Sequence, residues 1–260
     1  MSITKNRLSK NKLTGLLGPV GLVLLWVFLN KFVSELYLPN FRDTLIALMG
    51  LLKSGLLWLD AKETFFRLFF GFSLACAFAV PFGVIVGASL KIYRPLEIVI
   101  DFFRSLPSST LYPLFLLVFG IGDNSKIAVV VYTTGMIIFV NTIYGVQKSS
   151  KLRAKVAKLY GASPLTVLAR VSFFDSLPQI FSGLRIGISI ALIVEIVTEM
   201  VMGTQYGLGR RAIDSYISYN IPQLYATIVV IGILGLLLAK VFSLVEVKLI
   251  HWTSSKENIF

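Results

Sequence analysis

The amino-acid sequence predicts an all-α integral membrane protein with six transmembrane helices, both termini inside (N-in, C-in) and an elbow on the cytoplasmic side. Hydrophobic residues make up 56% of the 260 positions and charged residues only 15%. A soluble globule carries about 25% charged residues, so this chain could not cover its core with polar surface. Charge-free runs long enough to cross a bilayer, roughly 17–25 residues, recur along it. They are continuous, whereas barrel strands would alternate over about ten residues, so the spans are helical. One Cys (Cys76) and one His (His251) exclude a disulfide scaffold and a His/Cys metal cage.

The spans follow in order from the spacing of charges. Eighteen uncharged positions separate Lys12 from Lys31, 23 separate Arg67 from Lys91, 18 separate Arg104 from Asp123, 21 separate Lys126 from Lys148 and 25 separate Asp214 from Lys240. A further apolar stretch from Leu177 to Met202 also fits a crossing, although Arg185, Glu195 and Glu199 interrupt it. The segment Leu45 to Leu59 is broken by Lys53 and too short to cross; it is expected as an external interfacial helix. Pro81, Pro113 and Pro222 lie in or near spans, as do Gly71, Gly83 and Gly87. Membrane helices tolerate such glycines where neighbours pack closely. The expected organisation is an N-terminal tail, first span and interfacial helix over 1–62, a core over 63–252 with five spans and a cytoplasmic loop at 148–175, and a tail over 253–260.

With the N-terminus inside, 15 Lys and Arg residues fall in inner segments and 7 in outer ones, the bias that fixes orientation. The net charge of +12 is explained by basic loops that hold helices on the inner face and meet anionic lipid; no nucleic-acid partner is expected. Lys5 to Lys12 followed by Leu16 to Leu29 has the order of a secretory signal, but Asn30, Lys31 and Phe32 follow instead of a small-x-small cleavage site. The segment is expected to be retained as the first span. Trp26, Trp58 and Trp252 are expected in interfacial aromatic belts. Gly-Lys occurs nowhere, so a phosphate-cradling G-x-x-x-x-G-K-[ST] loop is missing, and G-x-S-x-G, H-E-x-x-H and C-x-x-C are missing too. Such a chain is a passive path, a secondary transporter, or a subunit driven by a partner. A secondary transporter should show two related halves, and none are visible.

The longest inner connection, Lys148 to about Asp175, carries six basic residues and no acid up to Arg170. Leu152, Val156 and Leu159 are spaced for one apolar face of a short helix over 150–160. Gly161 can take the left-handed conformation that ends a helix, and Ser163 followed by Pro164 starts another. Positive-inside bias explains the charges but not the built turn, so the segment reads as a docking elbow.

This stretch resembles the signature loop of bacterial ABC importer permeases: E-A-A, three residues, Gly, nine residues, Ile, then Leu-Pro. Here it runs Lys155-Val156-Ala157, Gly161-Ala162-Ser163, Val171, with Leu177-Pro178 and Ser182-Gly183-Leu184-Arg185 beyond. Arg67-Leu68, Gly71-Phe72, Pro81-Phe82-Gly83, Ser105-Leu106-Pro107, Pro113-Leu114-Phe115, Phe119-Gly120-Ile121-Gly122, Asn141-Thr142, Glu199-Met200 and Gly207-Leu208-Gly209 follow the order of the sulfonate/nitrate/taurine branch. The resemblance covers roughly Phe66 to Trp252. Two positions depart from it. Lys155 stands where the family has glutamate, and Phe173-Phe174 replaces its first Leu-Pro; these point to a matched ATPase surface or to a heterodimer.

The resemblance implies a type I ABC importer permease in the bacterial inner membrane. It implies two permease subunits (a homodimer ahead of a heterodimer), two ATPase subunits and an external solute-binding protein. ATP and Mg would sit on the ATPases, with no cofactor and no catalytic residue on this chain. Lys155, Val156, Ala157, Tyr160, Gly161, Ala162, Ser163 and Pro164 would form the ATPase-coupling loop. Glu195, Glu199, Met200 and Pro113 are the candidate residues of the translocation path or gate. Glu195 and Glu199, four apart, share one helix face. Near the outer end Glu199 is expected to reach the interface, while Glu195 lies a turn deeper, where a charge is costly. Arg185 is expected to meet lipid phosphate or a neighbouring carboxylate. Two ionised glutamates would gain nothing for a sulfonate or nitrate, so a path lined by Glu195 would suit a neutral or cationic solute such as a pyrimidine vitamin precursor. The segment Gly203 to Ile221, with Arg210, Arg211, Tyr206, Tyr216 and Tyr219, is expected either to contact the binding protein or to form an aromatic belt.

Overall fold

A computed structural model describes residues 18–250. The basic N-terminal tail, the start of the first expected span, His251, Trp252 and the tail 253–260 lie outside the described residues. Every regular element within them is helical, and the chain divides into two compact units.

One unit comprises residues 18–58 and 211–230. It holds α1 (Gly18–Leu29) and α2 (Phe41–Lys53). Trp26 is a strut here: its indole N–H donates to the Pro39 carbonyl at 3.0 Å, and its ring lies 5.2 Å from Tyr225 and 6.0 Å from Phe41. The Tyr225 hydroxyl donates to the Tyr37 carbonyl at 2.7 Å. Trp58 is exposed, as a belt residue would be. The expected interfacial helix is cut short: Gly55, at φ 76°, turns the chain after α2. Residues from Leu56 belong to the next helix, α3 (Leu56–Gly87).

The second unit, residues 59–210 with 231–250, contains α4 (Leu90–Ser105), a 3₁₀ turn over Ser108–Leu111, α5 (Tyr112–Phe119), α6 (Asp123–Gln147), α7 (Lys151–Leu159), α8 (Pro164–Val167) and α9 (Phe173–Val201). The amphipathic α10 (Leu208–Ile217) and the apolar α11 (Ile221–Leu249) complete the chain. Alpha8 passes through a π-helical segment, Leu168–Ser172, straight into α9. Four helical runs are long and apolar enough to cross a membrane: Leu56–Gly87, Asp123–Gln147, Pro164–Val201 and Ile221–Leu249.

The expected crossing between Arg104 and Asp123 takes another form. Alpha5 has eight residues, about 12 Å of helix, and the pair Leu90–Ser105 and Ser108–Phe119 is bent by 86°. Proline is the cause. Pro107 drives Leu106 into the extended conformation, ψ 121°, because its ring clashes with a preceding helical residue. The charge-free interval was therefore a poor ruler here. Four spans are evident among the described residues, or five if the bent pair counts as one.

The core of this unit is α6 packed against α3 and α9. Close approach requires small residues, and a Cβ at Gly83 would lie 2.7 Å from the Thr142 side chain, one at Gly183 2.6 Å from Asn141. Gln179 Nε2 donates to Asn141 Oδ1 at 2.9 Å across the same contact. Phe242 of α11 meets Phe72 and Phe181 at 6.0 and 6.4 Å. Outward faces carry large exposed apolar side chains such as Phe70, Ile193 and Leu236, which suit lipid rather than water.

Candidate functional site

Two constellations occupy opposite ends of the α3–α6–α9 core. The first is the elbow. Ser150 caps α7, its hydroxyl accepting from Arg153 N at 3.2 Å. At the other end Gly161 adopts φ 82°. Gly161 N donates to the Lys158 carbonyl and Ala162 N to the Ala157 carbonyl, both at 3.0 Å, the paired bonds of a Schellman turn. Ser163 then accepts from Thr166 N at 3.2 Å with Pro164 at the first helical position. The helix, glycine break and capped helix read from the sequence are all present. Asp175, at the start of α9, ties the elbow back: one carboxylate oxygen accepts from Ser150 N at 3.1 Å and the other pairs with Arg153 at 3.0 Å. The spacing gave no warning of that clasp, since 25 residues separate its partners.

Leu152, Leu159, Tyr160 and Leu165 point outward and are 72–89% exposed. Lys155 and Val156 are exposed beside them, and Ala157 and Ala162 are half-buried. Lys151, Lys155 and Lys158, spaced i, i+4 and i+7, share one face of α7, and that helix contains no acid.

The second constellation gathers the ends of α3, α6 and α9 with the connection 203–209. Arg67 is its hub, only 3% exposed. Its guanidinium pairs with Asp123 and Glu199 at 2.7 Å each and with Glu63 at 3.7 Å. It also donates to the Tyr206 carbonyl and the Thr204 hydroxyl. Glu199 additionally accepts from Thr64 at 2.8 Å and from Gly209 N at 2.8 Å. Asp60 accepts from Gly207 N at 3.0 Å. Lys126, 1% exposed, donates to the Gly122 carbonyl at 2.9 Å. Several partners per charge are what burial demands, since desolvation outweighs a single ion pair. A Cβ at Gly209 would overlap the Ile196 carbonyl, so the connection can seat only with glycine there.

Glu199 is thereby corrected: it is fully buried as an ion-pair partner and does not reach the interface. Glu195 is also fully buried, with neither carboxylate oxygen hydrogen-bonded. The four path candidates do not converge. Met200 is exposed on another face of α9, and exposed Pro113 begins α5. Arg185 meets a carboxylate as expected, Glu246 at 3.4 Å. Arg67, Asp123, Thr64 and Asp60 were missed because charges were read as span boundaries, although Gly207-Leu208-Gly209 marked the place where the backbone closes in. Among the described residues no group of three or more His, Cys, Asp or Glu side chains comes together to hold a metal ion.

Apolar spans, a projecting capped elbow and a charged clasp at the opposite end define a helical membrane transport component. Residues 79–251 match the model of the family described as binding-protein-dependent transport system inner membrane component, and the chain belongs to that family. It is 30% identical over 227 residues to a probable ABC transporter permease protein of Brucella melitensis, covering 87% of this chain and 92% of that one. It is 26% identical to the taurine transport system permease protein TauC of Escherichia coli, covering 85% and 82%. Its fold is shared with a chain of the inward-facing MetNI methionine ABC transporter, with a TM-score of 0.66, 20% identity, and coverage of 74% of this chain and 94% of that one. This protein is therefore an inner-membrane permease of an ABC importer.

Proposed function

We propose that the elbow, Ser150 to Leu168, seats in a groove of a cytoplasmic ATPase, and that two ATPases serve two permease subunits fed by an external binding protein. The remaining topology is six crossings with both termini inside, the bent α4–α5 pair counted as one crossing and the first apolar segment, which includes α1, as another. ATP and Mg bind the ATPases, and this chain performs no bond chemistry. Lys155 at the elbow's centre calls for an ATPase surface with a complementary carboxylate. One observation carries this reading: Leu159 and Tyr160, 86% and 89% exposed, stand on a turn held by three caps and a clasp. A rigid apolar knob in water is unfavourable until covered.

ATP-driven closure of the ATPase pair pushes the two elbows together. The push enters α9 directly, because Pro164–Val201 is one helical run of 38 residues. That run carries Glu199 in its last turn, so the motion reaches the Arg67 clasp at the opposite face. Each state is favoured by the nucleotide state of the partner.

The solute is a small organic anion of the sulfonate type, supported by the likeness to a taurine permease. The objection raised by Glu195 and Glu199 falls away, since both are buried beside Arg67 and Lys126. The reading of a cationic or neutral vitamin precursor loses its footing for the same reason.

Affinity purification of the wild-type chain from its own membranes tests the docking. A stoichiometric ATPase is expected with wild type and lost with Gly161→Asp, which cannot hold the turn. An ATPase retained at wild-type level by a normally inserted Gly161→Asp chain overturns it. Uptake of labelled taurine or another alkyl sulfonate, competed by the unlabelled compound, tests the solute class separately.

A further inference from the structure

Beside the exposed knob lies a groove of about 580 Å³. It runs between α7 and the places where three spans end: Gly87 of α3, Gln147 of α6 and Ser172 before α9. Its polar wall consists of Lys151, Lys158, Gln147, Ser149 and Ser172. No carboxylate lines it. Neither lysine's ammonium group forms an ion pair or hydrogen bond with any described residue, and the buried Gln147 Nε2 has no partner. Cations and neutral donors converge with nothing to receive them. Lys151 and Lys158 stand two turns apart on α7, a helix with no acid to offset them, so α7 gains from an anion in this groove.

The other wall is apolar: Leu90, Val146, Leu165 and Leu168. A cavity that is cationic on one side and aliphatic on the other suits an amphiphile with an anionic head. Its depth agrees. The 38-residue run from Pro164 to Val201 is about 57 Å long against a hydrocarbon core of about 30 Å. A run of that length exceeds the hydrocarbon thickness, and the groove sits where three such spans end, which is where a headgroup would be met. Basic hollows between helices at that level hold acidic lipid headgroups.

We propose that this groove is a binding site for one anionic phospholipid, its phosphate held by Lys151 and Lys158 and an acyl chain laid along Leu165 and Leu168. An acidic loop of a partner protein is the less suited occupant, because it would leave the aliphatic wall uncovered. The outward residues Leu152, Leu159 and Tyr160, proposed above to meet an ATPase, do not line the groove. The site does not depend on whether those residues meet an ATPase.

Native mass spectrometry of the full chain in detergent, with phosphatidylglycerol, phosphatidylcholine or inorganic phosphate added, tests this. Wild type is expected to retain one phosphatidylglycerol in preference to phosphatidylcholine. The paired change Lys151→Gln and Lys158→Gln should weaken that retention by about tenfold or more. The pair Lys151→Arg and Lys158→Arg should keep it, and so should Lys155→Gln, which removes a charge from the same helix outside the groove. Equal retention of the two lipids, or an equal loss with Lys155→Gln, overturns the proposal. Displacement of the lipid by inorganic phosphate at millimolar concentration assigns the groove to a free anion, and displacement by the copurified ATPase assigns it to a protein; either result also overturns it.

Discussion

Arg67 carries a full charge where 3% of its surface is exposed, and it is tolerable there because Asp123 and Glu199 stand 2.7 Å away on two sides. Removing one partner of such a buried pair costs about 3–5 kcal/mol, because the other charge is left uncompensated. Arg67→Met should therefore lower the thermal unfolding midpoint in detergent sharply, and Arg67→Met combined with Glu199→Met should recover much of it. Glu195 poses the opposite case. Its two oxygens are buried without a hydrogen bond, and replacing an unsatisfied buried polar group with an apolar one of similar shape removes a penalty of about 1–3 kcal/mol. Glu195→Met is expected to raise the unfolding midpoint and to leave the solute preference of uptake unchanged; a changed preference would put Glu195 in the transport path. The sequence marked both glutamates as costly through their spacing. It could not reveal Arg67 as the counterion of Glu199, because 132 residues separate the two and a charge at the end of an apolar run looks like a boundary.

The elbow was readable because its causes are local: Ser150 and Ser163 cap, Gly161 turns, and Pro164 starts a helix within a few residues. Its attachment was not, since the acceptor for Ser150 N is Asp175, across the turn. Asp175→Asn keeps the shape but loses the ion pair to Arg153, and should reduce ATPase-coupled uptake more than it reduces membrane insertion. Ser163→Ala removes one cap, worth about 1 kcal/mol, and should fray α8 with a smaller loss of coupling. The crossing expected between Arg104 and Asp123 is not a single straight helix, for a local reason too: Pro107 bends the backbone there whatever the hydropathy. Counting charge-free residues measures lipid solubility and not helix continuity.

For the chain as a whole, the two constellations are joined by α9, which leaves the elbow through a π-helical segment and carries Glu199 in its last turn. Pi-helical turns interrupt regular bonding and often mark functional sites, so this junction is where a push on the elbow would bend or pass on. The proposed coupling requires the elbow to face the cytoplasm and to be covered by a nucleotide-driven partner. Cys76 is the chain's one cysteine, which makes a direct measurement simple. Tyr160→Cys in a Cys76→Ser background is treated with a membrane-impermeant maleimide in intact cells and in inverted vesicles, the latter with the ATPase present or stripped. Labelling is expected only in inverted vesicles, and only when the ATPase is stripped. Labelling from outside intact cells, or labelling of inverted vesicles that the ATPase leaves unchanged, would contradict the coupling role of the elbow.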